Sequence, residues 1–313
     1  MKILSDLNDF DNQGQGVFCT IGMFDGVHRG HQHVIAHTVN EARRNGGQSL
    51  AITFEPHPAQ IVAPAHAPAM IYPFSKRREL LSRTDIEFAW IIAFDPAFSR
   101  ITGLEFLELL SEKLKPLKLI CVGPDFHFGY QRSGNFTLLK EQTKRLGFKL
   151  PEITPISHGA AEVSSTIIRK HIREGQIDEA EARLGRPYEL CGKVVQGKQV
   201  GRTIGFPTAN LDIDNLVLPP DGVYPAIARL QGQEHPGIIN IGLRPTQSSD
   251  SAQRSAEIHL FNFSETIYGQ TLEVRPYNQL RREQKFPNLD ELKAQIKQDV
   301  AHAKAILSNN IQI

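Results

Sequence analysis

The stretch IGMFDGVHRGHQ, residues Ile21 to Gln32, places three glycines, one aspartate and two histidines in twelve positions. An apolar run, Gly16–Ile21, precedes it, and Val34, Ile35, Val39 and Ala42 follow at helical spacing. A strand that turns through glycines into a helix offers an anion the unpaired N–H groups and partial positive charge of the helix N-terminus. Gly22, Gly26 and Gly30 permit positive φ and close backbone approach. His28 and His31 straddle the turn and the helix, which starts near His31, so both can point at one group. The stretch is neither G-x-G-x-x-G nor a Walker A motif. Three readings stand: a phosphate-contacting histidine pair, a metal site completed by Asp25, or two solvated histidines in a turn.

Around this stretch the first half alternates strands and helices. Ser49–Phe54, Phe88–Phe94 and Leu119–Val122 read as further strands, with a weaker one near Leu150–Ile156. Leu104, Leu107, Leu110 and Leu114 mark a helix between two of them. Such alternation predicts crossover connections and a mostly parallel sheet, which binds ligands at the carboxyl ends of its strands. After Gly185-Arg186-Pro187 the rhythm changes. Tyr188–Val195, Val223–Leu230, Gly237–Ile241, Ala256–Phe261 and Thr271–Tyr277 read as strands separated by turns, which predicts an antiparallel barrel or sandwich. A final helix carries Leu289, Leu292, Ile296, Val300 and Leu307 on one face, with Asn288 and Glu291 as a capping pair. Two short polar helices, Ser165–Arg173 and Asp178–Leu184, precede the change. The expected division is therefore residues 1–185 and 186–313.

The totals agree with two domains, since 313 residues exceed the roughly 150 of one average domain. Lys+Arg (35) nearly balance Asp+Glu (34), so no global basic field draws the chain to nucleic acid. Cys19, Cys121 and Cys191 lie far apart without a C-x-x-C pair and read as free thiols. The first residues lack a signal-peptide core, and no apolar run approaches the ~18 residues of a membrane span. The expectation is a cytoplasmic protein that uses no membrane and no nucleic acid, as a monomer or weak homo-oligomer.

The G-x-F-D-G-x-H-x-G-H pattern resembles the signature of the HxGH nucleotidyltransferases. Within them it resembles the adenylyltransferase module of bacterial bifunctional riboflavin kinase/FAD synthetases. T53-F-E-P-H-P58, G123-P-D-F-H-F-G129 and V163-S-S-T-I-I-R169 match further motifs in order. The resemblance implies a Rossmann-like domain that joins FMN to ATP. It implies nucleotide contacts from Gly22, Phe24, Asp25, Gly26, Gly30, Asp125, Ser164, Ser165 and Thr166, with His28, His31 and Arg169 supporting the reaction. Phe54, Pro56, His57 and Pro58 would face the flavin. His127 stands where the family often has Arg. The attacking phosphate monoester has a second pKa of about 6 and is mostly dianionic at pH 7, so no base is required.

In the second half, G192-K-V-V-Q-G-K198 is a near miss to a P-loop, because Gln199 replaces the magnesium-binding hydroxyl. G201-R-T-I-G-F-P-T-A-N210 resembles the riboflavin kinase signature. Thr208 and Asn210 supply hard oxygen donors suited to Mg²⁺ beside ATP phosphates. Gly197, Lys198, Gly201 and Arg202 would close on those phosphates, Gly205 adding freedom. Glu257, in R254-S-A-E-I-H-L260, stands at the family's catalytic carboxylate. Arg281 and Phe286, in L280-R-R-E-Q-K-F286, stand in its flavin flap. Leu243 and Gln247 replace the usual residues around R-P-T. The implied reactions are phosphorylation of riboflavin to FMN and adenylylation of FMN to FAD, with ATP and Mg²⁺. The rivals are a single-function HxGH transferase and a non-catalytic flavin- or oligonucleotide-binding module.

Overall fold

A computed structural model describes residues 1–159, 161–197, 200–244 and 253–310. The chain divides into two compact units, Met1–Ala69 with Phe74–Ser165, and Met70–Pro73 with Thr166–Ile313.

The first unit is built on a parallel sheet of five strands. Their spatial order is Lys2–Leu4, Phe88–Ala93, Gln48–Glu55, Val17–Ile21, Leu117–Cys121. Every residue of Val17–Ile21 is buried, as expected for a parallel strand covered on both faces. One face packs Val17, Cys19, Ile21, Leu50, Ile52 and Trp90 with Phe106, Leu107 and Leu110 of helix Gly103–Lys113. The other packs Phe18, Leu119 and Cys121 with Val34 and Ala42 of helix Arg29–Arg44. Helix Gly103–Lys113 opens with a capping box between Thr102 and Glu105. The chain order reverses between Val17–Ile21 and Leu117–Cys121, and this is the switch point at which such sheets form a crevice.

Four strand expectations recur within two residues at each end. The edge strand Lys2–Leu4 escapes the sequence because three residues are too short for a period. Leu150–Ile156 is not a strand: Lys149 alone bridges to Leu119, and a small hairpin, Ser157–His158 with Ala161–Glu162, follows. All three cysteines are buried and none forms a disulfide. Burial pushes the Cys121 thiol up to about 12.

The second unit is a closed antiparallel barrel. Strand Gln233–Arg244 pairs with Gln253–Leu260, followed around the ring by Ala209–Leu211, Leu190–Val195, Thr271–Pro276 and Gly222–Leu230, which pairs back to the first. Closure leaves no free edge in the ring. Leu190, Val194, Leu211, Tyr224, Ile239, Ile258, Leu272 and Val274 fill the interior. The short strands Ala209–Leu211 and Arg281–Arg282 carry no legible alternation and were not expected.

Helix Leu289–Asn310 lays Ala303 and Leu307 against Val223, Ile227, Ile238 and Phe261. Asn288 caps it, its Oδ1 accepting from the Glu291 N–H at 2.9 Å. Leu289 does not belong to the apolar face: it precedes the first packed turn and is 58% exposed. The two short helices, Ser165–Arg173 and Ile177–Leu184, fall with the barrel from Thr166 onward, ahead of the 185/186 division expected. The cause is local: Glu181 accepts from the Tyr188 N–H and pairs with Arg275, and Gly175 abuts Pro220. Among the described residues no helix is long and apolar enough to cross a membrane.

Candidate active sites

At the switch point of the first unit, His28 is the N-cap of helix Arg29–Arg44. Its Nδ1 accepts from the His31 N–H at 3.3 Å, so in the neutral ring the proton sits on Nε2. The His31 ring stacks on it, with centroids 3.6 Å apart. The crevice they border is also lined by Gly22, Phe24, Gly30, Asp125, Ser164 and Ser165, which brings together the main part of the expected nucleotide set.

The three glycines behave differently from expectation. Only Gly26 has positive φ (81°); the other left-handed positions are Phe24 (49°) and Val27 (38°). Gly22 and Gly30 are needed for space, since a Cβ at Gly30 would stand 3.2 Å from both the His28 ring and the Val163 carbonyl. Asp25 and Gly26 are buried and form no part of the crevice wall. The Asp25 carbonyl accepts from Ser165 Oγ at 2.9 Å, which ties the S-S-T segment to the loop. No group of three His, Cys, Asp or Glu among the described residues is arranged to hold a metal ion, which removes support for the Asp25–His28–His31 metal reading. Thr166 and Arg169 fall in the second unit, Arg169 being 8% exposed on its helix.

A larger cavity of about 740 Å³ adjoins the crevice. Phe54, His57, Pro58, Phe94, Phe98 and Phe128 give it an aromatic wall suited to a flat ring system. Pro56 is not among its lining residues. His57 caps helix Pro58–Val62, accepting from the Ala59 N–H at 3.1 Å, and His127 Nδ1 donates to the Asp125 carbonyl at 2.8 Å beside the cavity. Met23, Asp125 and Phe126 border both spaces.

Sequence reasoning missed Arg77. It is 1% exposed on helix Phe74–Ser82 and donates through Nη1 to the Met23 carbonyl at 2.8 Å. Nη2 pairs with the Glu55 carboxylate. The signal was available, because Arg77 shares a helix face with Leu80 and Leu81.

In the barrel, strand pairing sets Glu257 opposite Asn210 on one side and Asn240 on the other. Thr208 Oγ lies 3.4 Å from Glu257 Oε2. Thr208 borders two cavities. One is lined by Glu257, Asn240, His259, Arg281 and Phe286 together with Gly201; the other by Arg202, Phe263, Glu265 and Tyr268. A Cβ on Gly197 would stand 2.2 Å from the Asn210 amide, and one on Gly201 3.2 Å from Thr208 Oγ, so both glycines clear room for the P-T-A-N turn. Gly192 sits inside strand Leu190–Val195, which is not the turn a P-loop requires. Lys198, Gln199 and the segment 245–252, including Gln247 and most of the Ser248–Gln253 loop, lie outside the described residues.

Arg281 is held from the closing helix. Asp299, 2% exposed, accepts from its Nε at 2.9 Å and its Nη2 at 2.8 Å, and from Gln295 Nε2 at 2.9 Å. The guanidinium lies 5.8 Å from the Phe286 ring centroid.

A switch-point crevice headed by paired histidines, and a barrel with a carboxylate beside a Thr–Asn turn, define a transferase with two nucleotide-dependent sites. Family models for FAD synthetase and riboflavin kinase match residues 11–167 and 184–307. The chain is 36% identical over 310 residues to the bifunctional riboflavin kinase/FMN adenylyltransferase of Haemophilus influenzae, covering 99% of this chain and all of that one. It is 34% identical to the Escherichia coli K12 protein of the same description, over 97% of both chains. A solved structure from Streptococcus pneumoniae, described as a macrolide-efflux protein, superposes with a TM-score of 0.79 at 29% identity, covering 96% of this chain and 98% of that one. The chain belongs to the bifunctional riboflavin kinase/FMN adenylyltransferase family. It phosphorylates riboflavin with ATP and adenylylates FMN with a second ATP.

Proposed function

We propose that riboflavin is phosphorylated across Thr208. Its position between two cavities, 3.4 Å from Glu257, is the observation that carries the assignment. ATP occupies the Arg202–Tyr268 side and riboflavin the Glu257–Phe286 side, so the γ-phosphoryl group and the ribityl hydroxyl meet at the P-T-A-N turn. The hydroxyl is a poor nucleophile at neutral pH. Glu257 accepts its proton, a contribution of roughly 10²–10⁴ in rate. Arg281 and Phe286 hold the flavin. Gly197, Lys198, Gly201 and Arg202 serve the ATP phosphates.

Mg²⁺ fits this turn: Thr208 Oγ and Asn210 Oδ1 are hard oxygens, and the space beside Asn210 is too tight for any residue but glycine at Gly197. Those two residues would hold the ion, which when bound offsets the negative charge of the ATP phosphates.

In the first unit FMN lies in the aromatic cavity and ATP in the crevice, and they meet at the wall of Met23, Asp125 and Phe126. The FMN phosphate attacks the α-phosphorus and pyrophosphate leaves. His28 donates from Nε2 to the charge that develops, with His31, Ser164 and Ser165 as further donors. Phe54, His57 and Pro58 serve the flavin. Gly22, Phe24, Gly30 and Asp125 line the nucleotide site, with Asp25 and Gly26 buried behind its wall.

We assign the catalytic division to residues 1–185 and 186–313. The near balance of charge supports small-molecule substrates without nucleic acid. We place the protein in the cytoplasm, as a monomer or weak homo-oligomer, with Mg²⁺ serving both reactions. Product analysis by chromatography, with each site disabled in turn, tests the assignment. Loss of the barrel site must leave conversion of supplied FMN to FAD intact, and loss of the crevice must leave FMN accumulating.

A further inference from the structure

We propose that Arg77 is a positioning residue for adenylyl transfer, fixing the Met23 carbonyl and with it the wall between the ATP crevice and the flavin cavity. The inference rests on the placement of the two substrates given above.

Met23 is one of three residues, with Asp125 and Phe126, that border both spaces, and its carbonyl receives two donors: Arg77 Nη1 at 2.8 Å and Thr53 Oγ at 3.3 Å. The second arm of the same guanidinium reaches the Phe54 carbonyl at 3.5 Å and the Glu55 carboxylate. One planar group therefore ties the loop after strand Val17–Ile21 to the end of strand Gln48–Glu55. Those two strand ends carry the nucleotide and flavin residues respectively. The Phe74 ring lies 5.0 Å from the guanidinium and completes its enclosure.

The loop needs such a fastening. Immediately after Met23, Phe24 and Val27 hold φ of 49° and 38°, conformations that side-chain-bearing residues adopt only when their surroundings impose them. Burial presses the Arg77 guanidinium below its ordinary value, while the charges of Glu55 and Asp25 act the other way. With the Glu55 side chain 38% exposed, the ion pair is a weak source of net stability, so its use here lies in geometry. Arginine suits the task because its rigid fork serves two directions at once, whereas lysine offers a single point of charge.

The test uses the full chain and both activities, FMN formation serving as the internal control of folding. Arg77→Lys, Thr53→Val, the double variant and His28→Asn are compared in FAD formation from supplied FMN and ATP. We expect Arg77→Lys to lower kcat for FAD by roughly 10²-fold, the scale of a 1 Å misplacement of reacting groups, with both KM values and riboflavin phosphorylation unchanged. Thr53→Val should lower kcat less, and the double variant should be no worse than Arg77→Lys alone, because both donors act on one carbonyl. An unchanged kcat, a rise in KM alone, or effects that multiply in the double variant overturn the proposal. If Arg77→Lys abolishes both activities, Thr53→Val decides: a selective loss of kcat supports the proposal, and no loss overturns it. Should His28→Asn form FAD at the normal rate, the crevice assignment itself fails, whatever Arg77 does.

Discussion

Thr208, the residue before strand Ala209–Leu211, lies 3.4 Å from Glu257 on the neighbouring antiparallel strand, and the register that pairs Glu257 with Asn210 brings the two side chains together. A shift of one residue would turn the carboxylate to the other face of the sheet. Glu257→Gln keeps the shape and removes the basicity. We expect kcat for FMN formation to fall by roughly 10²–10⁴ with little change in riboflavin KM. Steady-state kinetics check this, and FAD formation from supplied FMN should be unaffected.

Replacing Thr208 and Asn210 together by Ala should abolish FMN formation at any practical Mg²⁺ concentration and spare the adenylyl transfer. Normal phosphorylation by the double variant would show that the turn holds no metal.

His28 has two tasks that substitution separates. Asparagine is a favoured N-cap and replaces the Nδ1 acceptor, yet it cannot reach where Nε2 reaches. His28→Asn should therefore fold normally and lose roughly 10²–10³ in kcat for FAD, the cost of one preorganised donor. Circular dichroism and the retained kinase activity report on the fold.

Asp299→Ala strands a guanidinium in the wall of the cavity proposed for riboflavin. We expect a loss of about 3 kcal/mol, at the low end for a broken buried pair because Arg281 keeps some solvent contact. Riboflavin KM should rise as well. The double variant Arg281→Met with Asp299→Leu should recover stability without recovering the KM, as denaturant titration and kinetics would reveal.

The Glu105 carboxyl is held below its ordinary value by the Thr102 backbone N–H and then by the Thr102 hydroxyl. A depressed carboxylate contributes stability above its unfolded pKa and loses it as pH falls through the folded one. The thermal midpoint of Glu105→Gln should therefore lie below wild type near neutrality and converge with it in acid.

The regular alternation of the first half gave the parallel sheet, and the spaced strands of the second gave the barrel. Short strands were illegible because three residues carry no period. Candidate site residues such as His28, Thr208 and Glu257 stood out through motifs that resemble a known family, and the fold sets Thr208 beside Glu257. Their supports did not stand out, although each left a mark. Arg77 interrupts the apolar face it shares with Leu80 and Leu81, and Asp299 the one it shares with Ile296 and Ala303. A lone charge within an apolar stripe indicates a buried bond whose partner only the tertiary fold supplies. The glycine loop misled in detail for a related reason. Packing forces Phe24 and Val27 into left-handed conformations that local preference would give to glycine.

The one tryptophan of the chain, Trp90, lies 8% exposed within the parallel sheet, and the barrel has none. Its ultraviolet emission is thus a private signal of the first unit. Denaturation followed at that wavelength and by backbone ellipticity in parallel would separate the melting of one unit from that of the other in an uncut, unlabelled chain.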